Sequence, residues 1–215
     1  METAAIHRLI EQHAAIQPDG IAIIDGASTT TYRELNYRAN TFARYLISHG
    51  LRRGAHAMVD IERGTTRTIA LLGILKAGGS YELIEPIDGA PSTPTLVIQP
   101  CVVGEPSSRD RVAVPLDDLL AIPTQPSPNL PILTRGSDIA CVLRDERGAS
   151  HILVPHATIV ALRQASAASS QGCVDDGGTL GLWLALMSGE TVTTVASTRL
   201  TPVPAVGATP GYCAA

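Results

Sequence analysis

The chain has 215 residues, 45% hydrophobic and 17% charged, a balance that belongs to a folded globular chain and excludes intrinsic disorder. A formal net charge of -4 with no basic run excludes a nucleic-acid footprint, and no apolar stretch approaches the length of a membrane span. With one Trp, five Tyr and one Phe, the core has to be built from Ile, Leu, Val and Ala.

In chain order, Thr3 is expected to cap a helix on which Ile6, Leu9, Ile10 and His13 share a face. Glu2, His7, Arg8 and Glu11 interrupt the apolar run that a signal peptide needs, so the expected location is cytoplasmic. Pro18-Asp19-Gly20 ends the helix, Ile21 to Asp25 reads as a buried strand, and Gly26-Ala27-Ser28 turns the chain into Thr29-Thr30-Thr31. Thr31 and Glu34 have capping-box spacing and open a helix with Leu35, Ala39, Phe42, Ala43 and Leu46 on one side, closed by Gly50. Ala55 to Ile61 suits a strand. Thr66 to Ala77 suits a helix with Ile69, Leu72 and Gly73 inward, and Gly78-Gly79 stops it before a strand at Ser80 to Ile84.

Ten of the fifteen prolines then fall between Pro86 and Pro131, which leaves room only for short strands at Thr95 to Gln99 and Arg111 to Val114. Further strands are expected at Ile139 to Arg144, His151 to Val154 and Thr191 to Ala196, and helices at His156 to Ala168 and Thr179 to Met187. Strands alternating with helices predict an α/β fold with a mostly parallel sheet flanked by helices and an irregular Pro-rich middle. The composition divides the chain into an N-terminal α/β lobe (3–84), a Pro-rich connection (85–137), a second α/β segment (138–197) and a Pro/Gly/Ala-rich tail (198–215) expected to fray.

The residues commonly used in catalysis form no persuasive constellation. Cys101, Cys141, Cys173 and Cys213 have no metal-ligand spacing and read as reduced thiols. Asp117-Asp118 and Asp175-Asp176 read as solvated turns or helix caps, and Gly177-Gly178-Thr179 as a turn into a helix. His151 and His156 are five apart, which suits neither one helix face nor one strand face. Ser150 and His151 are adjacent in sequence, whereas a nucleophile and its base converge in space. Trp183 reads as a core anchor. No catalytic residue and no metal ligand is therefore assigned.

Two segments carry a family resemblance. Thr31-Tyr32-Arg33-Glu34-Leu35-Asn36 and Leu75-Lys76-Ala77-Gly78-Gly79-Ser80-Tyr81 resemble the first two core motifs of nonribosomal peptide synthetase adenylation domains, the second usually written LKAGxAYVPID. Ile6 to Gln17 resembles that family's opening helix. Asp138-Ile139-Ala140 and Val154-Pro155-His156 bracket its third motif, and Leu182 to Gly189 resembles a later helix-to-strand segment.

The resemblance implies part of the N-terminal subdomain of an adenylate-forming enzyme. It also implies ATP with magnesium and a phosphopantetheine carrier: a carboxylate attacks the α-phosphate, and the acyl group then passes to the carrier thiol. In place of the family's phosphate loop, roughly YTSGSTGxPKG, stand Val142 to Ile152, in which Gly148 and Ser150 are the vestigial phosphate-contacting positions. Asp145 and Glu146 put negative charge where a triphosphate would lie, and the single lysine, Lys76, sits in the wrong motif. The expectation is a truncated homologue in specialised metabolism, inactive alone, with no cofactor of its own. A peptide synthetase or carrier protein is the expected partner. The open alternatives are a component that completes a ligase in trans and a non-catalytic interaction module.

Overall fold

The computed structural model describes residues 5–84, 95–99, 112–115, 125–131, 134–144, 151–165, 173–175 and 179–194. The helix α1 (Ile6–Ile16) leads into a hairpin of β1 (Ile21–Asp25) and β2 (Ser28–Thr31), then α2 (Tyr32–Ser48), β3 (His56–Asp60), α3 (Thr65–Lys76) and β4 (Ser80–Leu83). There follow β5 (Thr95–Gln99), β6 (Val112–Pro115), β7 (Ile139–Arg144), β8 (His151–Pro155), α4 (His156–Ala165), β9 (Cys173–Asp175), α5 (Thr179–Ser188) and β10 (Val192–Thr194).

The strands form two sheets, β2-β1-β10-β9 and β6-β5-β3-β4-β7-β8. The α/β class stands, but both sheets are mixed: among the described residues four strand pairs are parallel and four antiparallel. Connection length explains the division. The chain between β3 and β4 is long enough for α3 and gives a parallel pair, whereas Gly26 and Ala27 alone join β1 to β2 and force a hairpin. Gly26 has φ 60°, the left-handed conformation such a tight hairpin turn needs. Gly26 and Ala27 turn as expected, but Ser28, expected to complete that turn, already begins the second strand of the hairpin, which runs on through Thr29 to Thr31. Both sheets draw strands from both ends of the sequence, β1 pairing with β10 and β4 with β7.

Local signals set the ends of α2, while groups distant in sequence serve the ends of α1 and α5. At α2 the capping box is complete: Glu34 N donates to Thr31 Oγ1 at 3.2 Å, and Thr31 N donates to the Glu34 carboxylate at 2.8 Å. At α1 the expected cap is corrected. Ala5 holds the cap position without a side-chain bond, and Thr3 lies outside the described residues. A distant group takes over, because Ile6 N donates to His156 Nδ1 at 3.3 Å, so one free N–H of the first turn is satisfied from α4. The C-terminal carbonyls of α5 are likewise met from the N-terminal region. Tyr32 Oη donates to Leu186 O at 3.1 Å and Glu190 O at 2.8 Å, and Gln17 Nε2 to Gly189 O at 3.0 Å.

The core is centred on α2 and α3. All five residues expected on the apolar face of α2 are fully buried. The helix α3, expected to bury one face, is buried all round from Arg67 to Lys76, because it is packed against α1, α2, β1 and β4. Gly73 permits this. A Cβ there would sit 2.7 Å from Phe42 Cδ1 and 3.3 Å from Ala39 O, so the two helices meet at a bare backbone. Trp183 is fully buried as expected, its Nε1 donating to Tyr81 Oη at 2.6 Å.

Within the Pro-rich connection, residues 125–131 form no strand or helix and borrow their hydrogen bonds. Asn36, Asn40 and Arg44 recur every four residues and so line one face of α2. Asn36 Nδ2 donates to Asn129 Oδ1 at 2.9 Å, Asn40 Nδ2 to Ser127 O at 2.7 Å and Arg44 Nη2 to Pro128 O at 2.7 Å. Three of these seven residues are prolines, which supply no backbone donor, so the helix side chains do.

Candidate functional site

The strands β3, β4 and β7 run parallel, so Asp60, Leu83 and Arg144 end at one edge of the six-stranded sheet. Ligands of α/β sheets sit at this edge. The antiparallel register of β7 and β8 ends with Arg144 opposite His151, so the intervening loop leaves from the same edge. The expected phosphate-contacting positions Gly148 and Ser150 are in that loop and lie outside the described residues, as do Asp145, Glu146 and Arg147.

The helix α3 begins at the same edge, and its N-terminus is the natural place for an anion. Here the chain fills it with its own carboxylate. Thr65 N donates to Asp25 Oδ2 at 2.9 Å, and Thr194 Oγ1 donates to Asp25 Oδ1 at 2.9 Å. Burial works against the charged carboxylate, but these bonds from Thr65 and Thr194 outweigh it and hold Asp25 below the usual range. Gly64 makes the approach sterically feasible: its φ is 143°, and a Cβ would sit 2.7 Å from Asp25 Oδ2.

Beside the loop-bearing hairpin runs a chain of polar side chains. His151 Nε2 lies 3.9 Å from Glu82 Oε1, Glu82 Oε2 lies 3.3 Å from His56 Nε2, and His56 Nδ1 lies 3.1 Å from Ser80 Oγ. The order serine, histidine, carboxylate is that of a nucleophile with its base. The surroundings do not support that chemistry. Ser80 is 2% exposed, and the N–H groups of Gly79 and Ser80, the nearest oxyanion donors, bond to Ile74 O and Ala55 O. His56, Ser80 and Glu82 form a buried tie between strands β3 and β4, and the exposed His151 of β8 stands at its outer end. Sequence reading missed it, although His56 and Glu82, ionisable residues inside apolar strand segments, were its visible signal.

Lys76 lies at the other end of α3, roughly 17 Å along the helix axis from Thr65 at the usual rise per residue. Its Nζ bonds to Glu11 Oε1 and, at 2.8 Å, to Asn36 Oδ1. Burial pulls the ammonium down to about 8 even with Glu11 favouring the charge. A groove of about 430 Å³ opens at that opposite edge, lined by Arg53, Gly54, Gly78, Ser80, Ser137, Asp138 and Ile139. Its charges are already spent on each other: Arg53 Nη2 donates to Asp138 Oδ2 at 2.9 Å, and Arg135 N to the same oxygen at 2.8 Å.

His151 and His156 occupy different elements and do not meet. His151 starts β8, while His156 is fully buried edge-on to the His7 ring, centroids 6.0 Å apart. Burial lowers His156 to about 4 and pushes His7 well below its ordinary value. Asp175, expected in a solvated turn or at a helix cap, is instead the last residue of β9, opposite Thr194. Cys141 is a buried free thiol. Cys101, Cys213, Asp117, Asp118, Asp176, Gly177 and Gly178 lie outside the described residues. Among the described residues no group of three or more His, Cys, Asp or Glu is placed to hold a metal, and no helix is long and apolar enough to cross a membrane.

Comparison with known proteins places this geometry. Residues 10–92 match the AMP-binding enzyme family. Over this portion the chain is homologous to nonribosomal peptide synthetase adenylation domains. It is 44% identical over 81 residues to bacitracin synthase 1 of Bacillus licheniformis, covering 38% of the chain and 2% of that protein. It is 42% identical over 82 residues to tyrocidine synthase 3 of Brevibacillus parabrevis, covering 38% of the chain and 1% of that protein. The fold is similar to the N-terminal subdomain of Klebsiella oxytoca NpsA, solved with 3-hydroxybenzoyl-AMSN, at TM-score 0.68 and 21% identity. That likeness covers 91% of this chain and 54% of that one. The chain thus spans a small part of the synthetases it matches and about half of an adenylation N-terminal subdomain.

Proposed function

We propose that the chain is an adenylation-domain homologue that does not activate a carboxylate by itself. We place it in the cytoplasm, in specialised-metabolite biosynthesis, beside a peptide synthetase or carrier protein. The observation that carries this reading is the state of Lys76. It is the only lysine in the sequence, it is 2% exposed, and Glu11 and Asn36 occupy its ammonium. The phosphate loop of the family that the chain resembles, roughly YTSGSTGxPKG, carries its cation on a lysine, and the one lysine here is not free to take that place.

The α3 terminus described at the loop-bearing edge and the loop sequence speak against ATP with magnesium as well. The α3 terminus is filled by Asp25, and the loop sequence offers one glycine together with Asp145 and Glu146. In this reading residues 3–84 form the adenylation-like lobe, and residues 138–197 carry the degenerate phosphate loop at Gly148 and Ser150. The test is ATP–pyrophosphate exchange by the purified chain with each proteinogenic amino acid and with aryl acids. Background rates are expected throughout, and exchange above background with any one acid overturns the reading.

A second reading, completion of a ligase in trans, is favoured by coverage of only 54% of the NpsA N-terminal subdomain. It requires exchange that appears only when a polypeptide carrying the remainder is added.

A further inference from the structure

One hydrogen-bond network joins the surface segment 125–131 to the buried charge pair of α1 and α3. At its inner end Lys76 Nζ bonds to Glu11 Oε1 and, at 2.8 Å, to Asn36 Oδ1. Asn36 spends the other end of the same amide on the segment, its Nδ2 donating to Asn129 Oδ1 at 2.9 Å. Asn40 Nδ2 donates to that oxygen at 2.9 Å and to Ser127 O at 2.7 Å. Arg44 closes the outer end, Nη1 donating to Ser127 Oγ at 2.9 Å and Nη2 to Pro128 O at 2.7 Å. Asn129 Oδ1 thus accepts from two buried amides, one of which is bonded to the ammonium on its inner side.

The two ends of the network are held differently. Glu11, Asn36 and Lys76 are buried where three helices meet. The segment is largely exposed, and among the described residues no backbone–backbone hydrogen bond fastens it. Its fastenings are side chains of one helix, and water can replace the exposed bonds from Arg44. Segments held in this way open locally at far less cost than a core element. When this one lifts, Asn36 loses its outer partner, and the amide that screens Lys76 meets water. We propose that residues 125–131 are a strap that lifts from α2 while the rest of the fold stays intact, and that this lifting gates the access of acylating reagents to Lys76, the only lysine of the chain. Strap and ion pair are coupled through the two ends of the Asn36 amide: a docked strap aims Oδ1 at the ammonium, and an intact pair aims Nδ2 at Asn129. The gate involves no adenylation chemistry, so it stands or falls apart from the proposed function.

The experiment acetylates the folded 215-residue chain with N-succinimidyl acetate and follows Lys76 by peptide mass spectrometry, at several urea concentrations below the unfolding transition. Attack by the Lys76 amine forms an amide and releases N-hydroxysuccinimide. A lifting strap exposes little surface, so the Lys76 rate should vary with urea far less steeply than global unfolding does. Asn129→Ala removes the acceptor of both amides and should raise the rate about tenfold, whereas Asn129→Asp keeps an acceptor oxygen and should leave the rate at or below that of the parent. Asn129 is exposed, so both variants are expected to fold, which unchanged circular dichroism checks. Ile23→Val, a small core loss in the other sheet, lowers global stability and should leave the rate at low urea unchanged. A Lys76 rate that follows the full unfolding slope, a rate indifferent to Asn129→Ala, equal acceleration by both Asn129 variants, or acceleration by Ile23→Val each overturns the proposal.

Discussion

Replacing Lys76 with methionine tests whether the only lysine of the chain has a structural role. The substitution keeps the aliphatic length and removes the ammonium, leaving the Glu11 carboxylate 8% exposed without its cation. Breaking a buried ion pair from one side costs about 3–5 kcal/mol, because the remaining charge stays desolvated. Asn36 Oδ1 also loses its donor, worth about 1 kcal/mol, although its Nδ2 stays bonded to Asn129. Against a usual domain stability of about 5–15 kcal/mol, the single variant should be severely destabilised. Converting both partners, Glu11→Leu with Lys76→Met, removes the stranded charge and should return stability to within about 2 kcal/mol of the parent. Urea denaturation at pH 7, followed by circular dichroism, measures all four members of the cycle. A loss below about 1 kcal/mol for Lys76→Met, or a double variant no better than the single one, would refute the argument.

Acid should destabilise the protein through His156. Its folded value is about 4 against an ordinary 6.5, so between those values the unfolded chain binds a proton that the folded chain does not. The stability contributed by the neutral ring is full above about pH 6.5 and falls as the pH drops toward 4, by about 3 kcal/mol in all. His7 adds to the loss in the same direction, while Asp25 and Asp138 contribute only below their ordinary 3.8. His156→Gln should flatten the pH 4–6.5 profile of the urea midpoint; an unchanged slope assigns the effect elsewhere. At the helix crossing, Gly73→Ala puts a Cβ 2.7 Å from Phe42 Cδ1. Overpacking of about 1–3 kcal/mol competes with about 1 kcal/mol of improved helix propensity, so a net loss of up to about 2 kcal/mol is expected by thermal unfolding. Phe42→Leu in the same chain should recover part of it, and a Gly73→Ala protein more stable than the parent shows that the helices do not touch there.

Much of the candidate site was legible as sequence but not as geometry. The hairpin at Ile139–Arg144 and His151–Pro155 could be read from its two β-rich runs, and with it the position of the loop bearing Gly148 and Ser150. What surrounds the hairpin could not. Asp25 meets Thr65 across forty positions and Glu82 meets His151 across sixty-nine, and no local pattern encodes such meetings. The aspartate doublet at Asp175 misled for a related reason. Its local turn propensity is overridden by a neighbouring strand, β10, that supplies hydrogen-bond partners.

Backbone conformation was set within single elements. The Thr31–Glu34 capping box, the four-residue recurrence of Leu35, Ala39 and Ala43, and the Gly50 terminus each act through bonds or contacts inside one turn or one helix, so the sequence determined them alone. Strand order, the mixed sense of the sheets and the burial of α3 on every side were decided by the tertiary structure. Each depends on which surfaces meet once loops of tens of residues have closed. Lys76 shows both levels. Its motif was plain in the sequence, but only the folded chain, by bringing Glu11 and Asn36 against it in a dry interior, made it a structural ion pair.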